Sequence, residues 1–161
     1  MRLRSVATIT ILVAVGALAA MLFLTRQDDR TRNDALLFLD RYEALDVDDP
    51  IDVRRPLVSA LAEMPFAAEE VDRVRDGCVE AHRTLIVAEE RGAEAREIFE
   101  RATGGGRVPE SEIPTDVRAS IEAALAESNE ALPRARAQLR DCMDDARRLQ
   151  VRFQPRRQSH R

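Results

Sequence analysis

The sequence predicts an all-α chain: an apolar N-terminal helix, then an up-down helical bundle dominated by one long antiparallel coiled-coil hairpin. Three observations predict it. Two segments, about residues 67–103 and 115–153, carry small and apolar residues at alternating steps of three and four. A Gly- and Pro-rich stretch, Thr103 to Pro114, separates them. Charged residues make up 34% of the chain against 4% aromatic, with no Trp, a balance that suits surface-rich helices better than a β-sandwich.

The chain opens with a basic leader, residues 1–5, containing Arg2 and Arg4. Residues 6–25 are uncharged. Twenty helical residues span about 30 Å, the depth of a bilayer's hydrocarbon core, so this stretch predicts a transmembrane signal anchor. A cleaved signal peptide ending near Ala17-Leu18-Ala19 is the alternative. The basic leader predicts a single-pass protein of a bacterial inner membrane, with its N-terminus cytoplasmic and residues 26–153 periplasmic. Under the alternative, the chain is exported after leader cleavage.

Two short helices come next, about 31–46 and 50–64. The first places Ala35, Phe38, Leu39, Tyr42 and Leu45 on one face. Asp49-Pro50 reads as N-cap and first residue of the second, although Pro56 moves its start as late as Arg55. Leu57, Val58, Leu61 and Met64 form its apolar face.

The long hairpin has a register that the sequence sets. The first strand of the seam runs Val71, Val74, Cys78, Ala81, Leu85, Ala88, Gly92, Ala95 and Phe99. The second runs Ile121, Leu125, Ser128, Leu132, Ala135, Leu139, Cys142, Ala146 and Leu149, with Thr115 as N-cap and a bend expected near Asn129, caused by Pro133. Pairing the two Cys makes residue numbers across the seam sum to 220, and every seam residue then meets another. Large residues face small ones, as a narrow two-helix seam requires. The short helices reach only the half of the hairpin nearest the membrane. The other half, from about Ala88 through the loop to Ser128, has only itself. Ala88, Gly92, Ala95, Phe99, Ile121, Leu125 and Ser128 are therefore the candidate residues for binding a protein partner or a second copy.

Cys78 and Cys142 predict a disulfide in an oxidising compartment. The alternative is a metal or small-ligand sensor site, with His82 one turn from Cys78 supplying an imidazole beside the two thiolates. The acidic run Asp46 to Asp52 lacks the Gly and closing Glu of a calcium loop and reads as a helix-capping turn. All 25 basic residues are Arg. Residues 26–146 hold 17 Arg against all 29 acids, a net −12, while Arg147, Arg148, Arg152, Arg156, Arg157 and Arg161 follow with no acid after Asp145. Arg152, Arg156, Arg157 and Arg161 are the candidates for anionic headgroup contact. Residues 154–161 read as a basic, disordered tail. The acidic body and absent aromatic interleaving point away from nucleic acid. No phosphate loop, nucleophile triad or cofactor motif is present, so no enzyme and no cofactor is expected.

Overall fold

The computed structural model describes Met21 and residues 26–154. The described residues are helical, with no strand among them. We label the helices α1 (26–42), α2 (Ile51–Ala62), α3 (Glu69–Thr103) and α4 (Thr115–Phe153), with a 3-10 turn at Glu110–Glu112 before α4. The predicted membrane helix, residues 6–25, lies outside the described residues apart from Met21. No described helix is long and apolar enough to cross a membrane.

The ends of the last three helices differ from the sequence expectation by two residues or fewer, and those of the first by four or five. α1 starts before residue 31 and stops at 42, and 43–44 form a turn. Pro50 and Pro114, not Asp49 and Thr115, take the capping positions, with extended ψ of 148° and 143°. A Pro there costs nothing, because an N-cap amide has no partner within its helix. Neither helix has a side-chain cap. Asp46 instead accepts the amide of Asp48 at 2.9 Å, closing the acidic run into a local turn. α2 begins at Ile51 and keeps Pro56 inside it. Packing of Arg54, Val58 and Leu61, all at most 2% exposed, outweighs the one lost backbone bond.

α3 is capped from outside. Its N-cap, Ala68, has no oxygen in its side chain, and Asp34 of α1 accepts the amides of Ala67 and Ala68, each at 2.8 Å. The carboxylate thus answers two orphan donors and favours the positive helix end. At the other end Gly104 adopts φ 59°, and Gly105 donates to the Glu100 carbonyl at 3.2 Å. Only Gly takes that left-handed geometry without strain.

The hairpin forms in the predicted register. Cys78 and Cys142 are disulfide-bonded with Cα atoms 4.9 Å apart. Ser128 Oγ donates to the Ala88 carbonyl at 2.8 Å. A Cβ built on Gly92 would stand 3.4 Å from Ser128 Oγ, the pair that the 220 sum matches.

α3 carries a second buried stripe beside its seam: Val79, His82 and Ile86. This stripe faces the short pair. Tyr42 of α1 meets His82 edge-on at 6.3 Å, and Arg54 of α2 bonds Glu89. α2 therefore runs antiparallel to α3, with Arg54 near Glu89 and the Met64 carbonyl bonded by Arg75. The core gathers at this base end. Phe38 is fully buried, stacks on Tyr42 at 5.6 Å and meets Phe66 edge-on at 6.3 Å, in one cluster with Leu149 and Phe153.

Along α4 the seam changes step. Towards the C-terminus the buried positions are Ala135, Cys142, Ala146, Leu149 and Phe153, as expected. Towards the loop they are Ala124 and Ala131, not Leu125 and Leu132. Leu125 is 43% exposed. The change falls around Pro133, through which α4 runs unbroken. A straight helix drifts about 20° per heptad, and two helices packing alone approach closest over Ala.

Candidate functional site

The disulfide joins the base of the hairpin to itself across 64 residues. Both sulfurs are consumed, so the alternative metal set of Cys78, His82 and Cys142 is corrected: no thiolate is available as a ligand. Among the described residues no cluster of three or more His, Cys, Asp or Glu could hold a metal ion.

His82 has another role. It is 1% exposed, and neither ring nitrogen has a hydrogen-bond partner. Burial, and then the nearby Arg54 guanidinium, lower its pKa below the ordinary 6.5, so the neutral ring is favoured. Arg54, 2% exposed, donates through Nε to the Asp49 carbonyl at 2.7 Å and through Nη2 to Glu89. Its Nη1 is buried without a partner. The sequence did signal this cation: Arg54 lies four residues before Val58 and seven before Leu61, on the apolar face of α2. Burial of Tyr42 raises its pKa above 10.0, which keeps the phenol neutral beside them.

At the tip the predicted partner-binding residues divide. Ala88 and Ala95 are buried in the seam, and Gly92 and Ser128 are half-buried against each other. Ile121 is half-buried, while Phe99 and Leu125 stand 40% and 43% exposed. Every seventh residue of α4 records the same gradient. Leu125 is exposed, Leu132 and Leu139 are half-buried, and Ala146 and Phe153 are buried. One face of one helix is thus covered at the base and open at the tip. Arg91 bridges to Glu127 at 2.7 Å across the opposite edge of the seam.

The basic end also takes shape. Arg26 and Arg30 of α1 line a groove with Glu69 and Glu70 of α3 and Arg152 of α4. Arg152 pairs with Glu70 at 2.9 Å, so it is anchored within the fold while half-exposed. Arg148 pairs with Asp145. Arg156, Arg157 and Arg161 lie outside the described residues.

Among the described residues, then, the geometry defines a helical bundle with a stapled, closed base and an open apolar tip. Comparison with known protein families, curated proteins and solved structures finds no match.

Proposed function

We propose that this chain is a non-enzymatic, membrane-anchored extracytoplasmic module that acts as a scaffold or protein-interaction element through the tip of its hairpin. The observation that carries the reading is the exposure of Phe99 and Leu125 near the loop, beside a seam that closes there over Ala. Exposed apolar side chains mark an interaction surface where they gather into a contiguous patch rimmed by polar groups.

The cationic end supports the anchored arrangement. Arg26 directly follows the apolar run, and it shares a groove with Arg152. A span over residues 6–25 would therefore bring Arg152 towards the headgroup layer, and Arg156, Arg157 and Arg161, which follow it in sequence, are the further candidates for contact with anionic lipid. The proposed location is a bacterial inner membrane with the bundle in the periplasm, where the disulfide persists.

The test is to replace residues 92–128 with a short turn. The base, with its disulfide and aromatic cluster, is retained in this variant. Loss of the wild-type oligomeric state or of its cross-linked partners is the expected result. If oligomeric state and in-cell cross-links are both unchanged, the reading is wrong.

A further inference from the structure

We infer that a second copy of this chain docks on α4 through the exposed stripe Glu122, Leu125, Asn129, Leu132 and Arg136. The inference rests on the tip-docking reading above and names its partner.

These residues recur at steps of three and four, so they lie along one side of α4. Glu122, Leu125, Asn129 and Arg136 are exposed and Leu132 is half-buried. None of them carries the closure of the α3–α4 seam, which uses Ala124, Ala131 and Ala135. The stripe is self-complementary when reversed. Around Asn129 the order reads acid, Leu, Asn, Leu, base. A two-fold axis through Asn129 makes two α4 helices antiparallel and brings Glu122 of each copy against Arg136 of the other. It sets Leu125 of each copy over Pro133 and Leu132 of the other, and it brings the two Asn129 side chains together. An isologous interface demands this property of a surface: what lies on one side of the axis must complement what lies on the other. A central Asn pair would fix the register, since an Asn facing Leu would lose its hydrogen bonds. The end charges select the antiparallel sense and disfavour the parallel one, in which Glu would meet Glu.

A partner of one dominant charge would meet attraction at one end of the stripe and repulsion at the other. A second copy meets attraction at both. The contact spans about four helical turns, which places it among weak interfaces that confinement to a membrane would strengthen.

The test uses the full chain in detergent, followed by analytical ultracentrifugation. The wild type is expected to form dimers. Glu122→Arg alone and Arg136→Glu alone are each expected to weaken dimerisation by about tenfold or more, the equivalent of about 1.4 kcal/mol. Mixing those two variants is expected to restore it, because every contact in the mixed pair again joins opposite charges. Both positions are exposed, and unchanged circular dichroism checks that the fold is retained. A wild-type chain that stays monomeric even at ~1 mM overturns the inference. So does a dimer indifferent to both reversals, or a mixture that does not recover. These outcomes are separate from failure of the tip-docking reading, since a monomer could still lose its other cross-linked partners on removal of 92–128.

Discussion

The base and the tip of the hairpin are made from the same two helices, yet they are held together differently. At the base, α3 is buried on two sides, by α4 along the seam and by α1 and α2 over Val79, His82 and Ile86. The core there is aromatic and branched, and a disulfide crosses it. At the tip the buried residues are Ala88, Ala95, Ala124 and Ala131, with Ile113 of the loop, while Phe99 and Leu125 stand exposed. The same heptad stripe is therefore a core at one end and a surface at the other. Two helices can bury only a strip between them. A third and fourth element are needed to bury a Leu beside that strip.

The sharpest way to break this comparison is to cut equivalent apolar groups from each half. Phe38→Ala empties a fully buried site and should cost about 4 kcal/mol, while Leu125→Ala, at an exposed site, should cost about 0.5 kcal/mol or less. Urea denaturation of the two variants measures both. Equal losses would mean that the tip is as well packed as the base.

Removal of the disulfide by Cys78→Ala with Cys142→Ala comes next. The loop it closes, 64 residues apart in sequence, corresponds to about 4 kcal/mol of chain entropy, and measured values usually fall near about 3 kcal/mol. The loss should appear in the urea midpoint of the double variant and of the reduced wild type alike. A change confined to the variant would assign the effect to packing of the small side chains.

Acid supplies the mildest probe of the base. His82 has its folded pKa depressed, so the unfolded chain binds its proton more readily. The neutral ring's contribution is intact above about pH 6.5 and declines as pH falls from there, by at most about 1.4 kcal/mol per pH unit. His82→Phe should flatten that part of the pH–stability curve. Retention of the full slope in this variant would shift the cause to the carboxylates. Hydrogen exchange should place the acid-induced opening in α1, α2 and the facing stripe of α3, because Tyr42 and Arg54 are the groups against His82.

Much of the fold was legible in the residues. The 3-and-4 spacing, the Gly104 turn and the two Cys gave the hairpin and its register, and Ser128 against Ala88 and Gly92 agrees with it. Phe38 and Tyr42, on the expected apolar face of α1, do enter the core, where Phe66 and Phe153 join them. The placement of Leu125 and Leu132 was not legible, because a heptad count assumes a uniform 3.5 period. α4 instead changes step near Pro133, and the helices close over Ala. The external cap on α3 was also hidden. Asp34 precedes Ala68 by 34 residues, and no local pattern links a carboxylate to amides at that distance.

The sequence by itself determined that the described residues are helical, where the long helices turn, and which residues oppose one another along the base of the seam. Those properties follow from periodicity and from Gly and Pro backbone preferences, which act over a few residues. Only the tertiary structure decided which half of the seam is wrapped, and so which Leu is core and which is surface. It also decided that His82 and Arg54 are buried together and that Asp34 serves a helix other than its own. Each of these depends on where the short helices stop against the long ones, a matter of packing between segments that no repeat within one segment encodes.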